Sequence, residues 1–278
     1  MSPQSGILFE GPVAEGEWTW WVDIKSNNIH AWNIRTQQSA TIHTQPTVTA
    51  LALINEELHA IHKRGTIKID RHDLSTRTGI TWGIPERYAA DSYRSNDALM
   101  LRPNVLLVGI MRDPPRSNDG CLLRIHLGSQ SPRVEVAFEG VTISNGLALT
   151  DNGNVLSFID TPSRKIQRFR ATESTLVPLD EIDVSGEEGE PDGMTATQNG
   201  ELIVAMWGGS QILKIDARQK LVLKRLRVPS KYVSSVAFTD ESETTLIVTT
   251  ASDGHGSGQS SGELCIKTAR TFALQELG

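Results

Sequence analysis

Residues 144–160, with the sequence SNGLALTDNGNVLSFID, contain the structural unit that decides the fold of this chain. A strand of small apolar residues, Ser144 to Leu149, is followed by a turn and then by a more strongly apolar strand, Val155 to Asp160. The turn contains Asp151-Asn152-Gly153, and residues of these types accept the positive φ angles that tight hairpins need. The segment therefore predicts a β-hairpin.

The same two-strand unit recurs along the chain at intervals of roughly 40 to 50 residues. An interval of this length is typical of one four-stranded blade of a β-propeller, and about six such units fit into the chain of 278 residues. Further copies begin near Glu10, Thr49, Asn96, Asp192 and Val233.

We therefore predict an all-β fold, a six-bladed β-propeller that forms one domain over residues 1–278. Long stretches with helical periodicity, which would indicate another fold class, do not occur. A pair of β-sandwiches is the alternative, since it would also give many short strands. It would not produce a repeated unit at nearly constant spacing, which favours the propeller.

Composition excludes several classes of protein. Hydrophobic residues make up 38 % of the chain, which supports a core, and 27 Lys and Arg against 33 Asp and Glu leave a net charge of −6. This balance argues against electrostatic binding to nucleic acid or to an anionic membrane. With no apolar run long enough to span a bilayer and no signal-peptide pattern, we expect a cytoplasmic protein in which Cys121 and Cys265 are reduced.

Four polar residues occupy equivalent places in the repeat, each near the start of the first strand of a unit. They are Glu10, Asn96, Asn145 and Asp192. Since the first strand of each propeller blade lines the central channel, we expect these side chains to converge on the axis. Two carboxylates and two amides form an oxygen-rich set that suits a hard cation such as Ca²⁺, Mg²⁺ or Mn²⁺. Any one of them could be a simple turn former, but four in phase favour a metal site.

Five short motifs follow one another along the chain in a specific order. They are Glu10-Gly11-Pro12-Val13, Arg94-Ser95-Asn96-Asp97, Ser144-Asn145-Gly146-Leu147-Ala148, Pro191-Asp192-Gly193-Met194 and Val233-Ser234-Ser235-Val236-Ala237-Phe238. Each motif is weak alone. Their order and spacing, from about residue 9 to a strand at Gly262-Glu263-Leu264, resemble those of the SMP-30/gluconolactonase/luciferin-regenerating-enzyme family.

This resemblance implies a six-bladed propeller with one catalytic divalent metal ion in the axial channel. Ca²⁺ is the first choice, with Mg²⁺, Mn²⁺ and Zn²⁺ as alternatives. Glu10, Asn145 and Asp192 match the family's metal positions, and Arg94 and Asn96 match the positions that hold substrate. Members of the family hydrolyse lactones, commonly sugar lactones. Departures from its pattern, such as Phe9 and the Thr195–Gln198 segment, leave the ligand positions intact but leave the substrate open.

The chemistry of these residues fits ester hydrolysis. A lactone needs a polarised carbonyl and an activated water, and a divalent cation can supply both. Asp192 is the candidate catalytic base, with hydroxide on the cation as the alternative. Arg94 offers a planar fork of donors for a ring hydroxyl or a carboxylate, although an ion pair with Asp91 or Asp97 would also explain it.

We therefore predict a gluconolactonase-like enzyme that opens a small-molecule lactone, with no nucleic-acid or membrane partner. The sequence does not set its oligomeric state. A hydrolase of another ester, such as an organophosphate, and a non-catalytic propeller that binds a metabolite or a protein are the alternatives.

Two loops also carry notable sequences. The Arg112–Asn118 loop is a candidate lid. Residues Gly258–Gly262 match the G-x-S-x-G motif of serine hydrolases, but they lie in a Gly/Ser-rich loop, so we interpret the match as chance.

Overall fold

The fold is built almost entirely from β-strands. The structure is a computed structural model that describes residues 6–128, 131–239, 242–243, 245–252 and 270–273. These residues form 23 strands and two short 3-10 turns, at Glu86–Tyr88 and Thr161–Ser163. The predicted all-β class is confirmed. Nothing in the described ranges forms a helix long and apolar enough to cross a bilayer.

The first three sheets each contain four consecutive antiparallel strands. Blade one consists of β1 (Phe9–Glu15), β2 (Trp18–Asp23), β3 (Asn28–Asn33) and β4 (Ser39–His43). Blade two consists of β5 (Ala50–Ile54), β6 (Glu57–His62), β7 (Gly65–Ile69) and β8 (Thr76–Thr81). Blade three consists of β9 (Tyr93–Arg102), β10 (Val105–Arg112), β11 (Gly120–His126) and β12 (Arg133–Val141).

The remaining sheets continue the same order. Blade four consists of β13 (Ser144–Thr150), β14 (Val155–Asp160), β15 (Lys165–Ala171) and β16 (Leu176–Asp183). Blade five consists of β17 (Glu190–Ala196), β18 (Glu201–Trp207), β19 (Gln211–Asp216) and β20 (Leu221–Arg227). The last sheet contains β21 (Val233–Phe238), β22 (Thr245–Thr250) and β23 (Arg270–Ala273).

The sheets are arranged as a ring around their first strands. Strands β1, β5, β9, β13, β17 and β21 contact one another in this order, and β21 contacts β1. This confirms the propeller architecture. Among the described residues, five sheets have the four strands of a complete blade and the last has three, so the predicted six complete blades are not seen. The strand expected at Gly262-Glu263-Leu264 lies outside the described residues, as do the Gly258–Gly262 motif and Cys265.

The ring closes through contacts between the two ends of the described chain. Leu8 and Ala251 form an antiparallel β-bridge, and the backbone N–H of Ser252 donates to the carbonyl of Ile7 at 3.0 Å. The buried hydroxyl of Ser234, on β21, donates to the backbone carbonyl of Phe9, on β1. The first and last sheets are therefore hydrogen-bonded neighbours.

The apolar core lies between adjacent blades rather than at the centre of the ring. Leu107 of blade three packs with Leu156 and Phe158 of blade four in one such cluster. Cys121 lies in the cluster between blades two and three, where it is free and fully buried. The apolar side chains are thus used to pack adjacent blades against each other. Polar residues of the first strands line the central cavity instead.

The first strands share an irregularity at the positions of the candidate site residues. In five of the six, the pairing with the second strand skips a residue, so that one extra residue bulges from the first strand. Such β-bulges bend the strand and redirect side chains. The bulges lie between Glu10 and Val13, Ser95 and Ala98, Asn145 and Leu147, Pro191 and Met194, and Val233 and Ser235. Strand β5 pairs regularly with β6, and it contributes none of the candidate residues.

The glycine that follows Asn145 is required by close packing rather than by a turn. Gly146 lies within β13, and a Cβ atom there would lie 2.5 Å from the backbone oxygen of Asp192 and 2.7 Å from Cδ1 of Ile159. Distances this short are not tolerated between these atoms, and a backbone oxygen cannot rotate away. The Asn-Gly pair therefore lets β13 and β17 approach each other at the axis.

We expect Gly146→Ala to lower the free energy of unfolding by about 1–3 kcal/mol, the usual range for overpacking a tight site. Gly186→Ala is the matched control, because a Cβ at Gly186 meets nothing within 4 Å. The control should be neutral or slightly stabilising, since alanine restricts the unfolded chain. Thermal and urea unfolding of both variants measures the difference, and equal stabilities would show that the two strands can move apart.

Candidate functional site

One cavity of about 420 Å³ contains every residue that the sequence singled out for the site. It lies where the first strands begin, and it is lined by Glu10 from blade one, Arg94 and Asn96 from blade three, Asn145 from blade four and Asp192 from blade five. Four blades therefore contribute to one site, as the in-phase positions predicted. The roles of these residues are not settled by their position and stay predictions.

The two asparagines are held by a chain of hydrogen bonds that crosses three blades. Asn96 Nδ2 donates to Asn145 Oδ1 at 2.6 Å and to the backbone oxygen of Ser144 at 2.8 Å. Asn145 Nδ2 donates to Thr161 Oγ1 at 2.8 Å, and this hydroxyl donates to the carbonyl of Pro191 at 2.9 Å. Both amides are thereby oriented, and the second lone pair of Asn145 Oδ1 is left for another ligand.

The Arg94 guanidinium is oriented by three acceptors from its own blade. Its Nε donates to Asp113 Oδ2 at 3.1 Å, and its Nη1 donates to the backbone oxygen of Ser95 at 3.0 Å. Nη1 also donates to Oδ1 of Asn96. This arrangement links the arginine directly to the hydrogen-bonded asparagines.

The ion pair of Arg94 is not the one that the sequence suggested. Asp91 and Asp97 are close in sequence, but Arg94 forms its salt bridge with Asp113, in the loop that follows β10. Asp113 also accepts from Lys25 Nζ of blade one at 3.0 Å. The carboxylate therefore joins blades one and three across the rim of the cavity, a contact that short-range sequence spacing cannot reveal.

Three carboxyl groups that interact with one another near the axis have raised pKa values. Burial, together with the negative charge of Asp97, raises the pKa of Glu10 to about 8. Burial also raises the pKa of Asp97 to about 6. The pKa of Asp192 lies well above its ordinary value because of burial and then because of the charges of Glu10 and Asp97. Because burial and mutual repulsion both oppose their ionisation, these carboxyl groups hold their protons more tightly than exposed ones.

One carboxylate oxygen of this group has no hydrogen-bond partner. Asp192 is 4 % exposed, and its Oδ1 atom is buried without a donor. Leaving a buried acceptor unpaired costs about 1–3 kcal/mol, and more when it is charged. The described residues contain no group of three or more His, Cys, Asp or Glu side chains that could hold a metal ion. The oxygens available here come from two carboxylates, Glu10 and Asp192, and from the amide of Asn145.

Two further aspartates position the strands that carry Glu10 and Asn145. Asp23 Oδ1 accepts from the backbone N–H of Leu8 at 3.0 Å, and Asp160 Oδ1 accepts from that of Ile143 at 2.9 Å. Each N–H lies two positions ahead of a candidate ligand. Both aspartates end the second strand of their blade after apolar residues, so the repeat itself carried the signal for this role.

The cavity also has lining residues that sequence reasoning did not assign to the site. Thr161 and Glu190 are polar, and the apolar lining residues are Leu8, Met111, Pro114, Pro115, Ile143 and Trp207. Two prolines of the Arg112–Asn118 loop thus border the cavity. Whether this loop moves as a lid stays a prediction.

The fold and the cavity define a β-propeller with a polar site on its axis. Residues 8–252 match the family model described as the SMP-30/gluconolactonase/LRE-like region, and the chain belongs to this family. A Bacillus subtilis (strain 168) protein with the provisional name sugar lactone lactonase YvrE is 31 % identical over 256 residues, which cover 89 % of this chain and 84 % of that protein. Pentonolactonase XacC of Haloferax volcanii is 30 % identical over 261 residues, covering 90 % and 84 %.

A solved structure agrees with the fold. Regucalcin from Agrobacterium tumefaciens, described as a calcium-binding protein, superimposes with a TM-score of 0.79 at 22 % identity. The alignment covers 91 % of this chain and 85 % of regucalcin. At this level of identity the likeness is evidence for the fold alone.

We expect Glu10→Gln to remove a pH dependence of stability. With a chelator present, folded Glu10 keeps its proton up to about pH 8, whereas the unfolded chain releases it near the ordinary pKa of 4.5. Between these values the folded state binds more protons, so the free energy of unfolding of the wild type falls as pH rises. Melting temperatures at about pH 5 and about pH 8 should therefore favour the variant increasingly with pH.

Glu181→Gln controls for the loss of one negative charge, because it changes an exposed carboxyl on the outer strand β16. Its melting curves should run parallel to those of the wild type over the same range. Parallel behaviour of Glu10→Gln would contradict the raised pKa of Glu10.

Proposed function

We propose that this protein is a metal-dependent hydrolase that opens a sugar lactone in the axial cavity. The observation that carries the proposal is the meeting of Glu10, Arg94, Asn96, Asn145 and Asp192 in one cavity. Membership of the family, with lactonases among the relatives, supports this choice of reaction. We also propose that the three-stranded sheet is the sixth blade of the ring and that the chain forms a single domain.

A divalent cation fits the oxygens at the axis. Asp192 Oδ1 is buried without a donor, and Asn145 Oδ1 has a lone pair to spare. Burial and the charge of Asp97 raise the pKa of Glu10, and a cation beside that carboxyl would lower it again. Hard cations prefer such carboxylate and amide oxygens, and we propose Ca²⁺ first, with Mg²⁺, Mn²⁺ and Zn²⁺ as alternatives. When bound, the cation supplies a Lewis acid for the lactone carbonyl and for water.

The protein's own residues would bind and orient the lactone. The guanidinium of Arg94 is fixed by Asp113, so its remaining N–H groups can donate to ring hydroxyls without a search for the right rotamer. Asn96 is fixed by Asn145 and by the backbone, and it lies beside Arg94. Together they would set which face of the ring is presented to Asp192.

Asp192 is the residue we propose to move the proton. Its carboxylate lines the cavity and would accept a proton from water as the water oxygen attacks the carbonyl carbon of the lactone. The bond between that carbon and the ring oxygen then breaks. Asp192 returns the proton to the departing ring oxygen, and the product is an open-chain hydroxy acid.

Replacing Asp192 by Asn should lower kcat for lactone hydrolysis by about 10²-fold or more, as loss of a main stabilising group does. Proton release from a panel of aldonolactones measures the rate. Asp183→Asn, on the outer strand β16, is the matched control and should keep full activity. Wild-type turnover of an organophosphate panel in place of the lactones would favour the alternative ester. Lack of turnover with both panels and every metal would favour a binding protein.

Exhaustive chelation should abolish lactone hydrolysis, and one of Ca²⁺, Mg²⁺, Mn²⁺ or Zn²⁺ should restore it. The same titration followed by thermal unfolding should show a rise in the melting temperature of the wild type, because the cation binds only the folded state. Glu10→Gln should reduce that rise. A fully active, metal-analysed protein after chelation would overturn the metal dependence.

A further inference from the structure

Trp207 is the largest apolar side chain that lines the cavity. It is half-buried, and it lies opposite Glu190 in the pairing of β18 with β17. Glu190 precedes Asp192 by two residues, a rise of about 7 Å along the strand. The backbone of Trp207 therefore lies about that far along the blade from Asp192, and both residues line the same cavity.

Neighbouring aromatic and apolar groups hold the indole from behind. The ring centroid of Tyr232 lies 4.9 Å from that of Trp207 with the planes tilted by 42°, and the two residues form a backbone β-bridge. Both pack against the apolar cluster that contains Leu8 and Ala251. The position of Trp207 is thus tied to the closure of the ring.

The turn that follows Trp207 is locked by three glycines. A Cβ on Gly189 would lie 2.5 Å from the nitrogen of Gly209 and 2.6 Å from the oxygen of Trp207, and a Cβ on Gly209 would collide with the oxygen of Glu188. Gly208, between Trp207 and Gly209, has a φ of 77°. These tight contacts fix the backbone position of Trp207. The proposed hydrolysis itself does not require a side chain of this size at that position.

We propose that Trp207 is a stacking platform that makes the cavity selective for rings over open chains. This inference deepens the proposed function and rests on it only for the identity of the reaction. A five- or six-membered oxygen ring presents C–H bonds on its faces, and the negative face of an indole attracts them while removing apolar surface from water. The ring's hydroxyls would then point to Arg94 and Asn96 across the cavity.

The platform also accounts for how product would leave. Opening the lactone converts a flat-faced ring into a flexible chain, so the contact with the indole is lost as the reaction ends. Substrate and product would therefore differ in affinity even though they carry almost the same hydroxyl groups. Trp207 is a specificity-determining residue in this proposal rather than a participant in proton transfer.

The test compares binding of D-glucose, a ring that cannot be hydrolysed, with binding of D-glucitol, its open-chain counterpart. Saturation-transfer NMR and calorimetry on the full chain should show a preference of the wild type for glucose of about tenfold. Trp207→Leu keeps apolar bulk without an aromatic face and should erase the preference, whereas Trp207→Phe should keep part of it. With a lactone, Trp207→Leu should raise KM about tenfold while kcat changes little.

Trp32→Leu is the matched control, because Trp32 is a half-buried tryptophan on β3 that does not line the cavity. It should leave the glucose preference and the KM unchanged. Equal binding of glucose and glucitol by the wild type, or an unchanged preference in Trp207→Leu, would overturn the inference. Loss of lactone turnover in the wild type with the glucose preference intact would instead overturn only the proposed reaction.

Discussion

The close approach of neighbouring first strands at the axis is the constraint on which the ring and its site depend. Six strands meet around one line, and at Gly146 there is no room for even a methyl group beside the backbone of Asp192. Regular pairing would direct alternate side chains into the adjacent blades. The extra residue in β1, β9, β13 and β17 interrupts that alternation and leaves a polar side chain at the axis. Packing and chemistry are therefore set by the same few residues.

The carboxyl groups near the axis oppose folding, and we propose that they are present for ligand binding. Glu10, Asp97 and Asp192 interact with one another near the axis, and the Arg94 guanidinium already forms an ion pair with Asp113. A protein optimised for stability alone would replace these carboxyls by neutral groups. Sites where local rules are broken in this way are usually the functional ones. The apolar clusters between the blades supply the stabilisation that offsets the cost.

The fold class and most of the candidate site could be predicted from the sequence, because a sequence repeat indicates which residues occupy equivalent positions in the ring. Equivalent positions in a closed ring must face the same axis, so Glu10, Asn96, Asn145 and Asp192 could be placed together without coordinates. The partner of Arg94 could not, since Asp113 reaches it through a loop whose path depends on the whole blade. The bulges and the packing role of Gly146 could not be predicted either, because Asn-Gly and Asp-Gly pairs are equally typical of turns.

Trp207 shows another limit of sequence reasoning. A tryptophan at the end of an apolar strand usually belongs to the core. Only the structure shows that Trp207 lines the cavity instead. The sequence predicted six blades, but the described residues form five four-stranded sheets and one sheet of three strands.

The hydrogen bonds between the first and last sheets have a consequence for biosynthesis. Glu10 is synthesised before Asp192, which belongs to the fifth blade, and the bridge from Leu8 cannot form until Ala251 has been made. Contacts so distant in sequence form late, because the chain between them must be ordered first. A chain that ends before the fifth blade would therefore carry Glu10, Asn96 and Asn145 but lack Asp192. The full set of cavity residues comes together only after the fifth blade has been made.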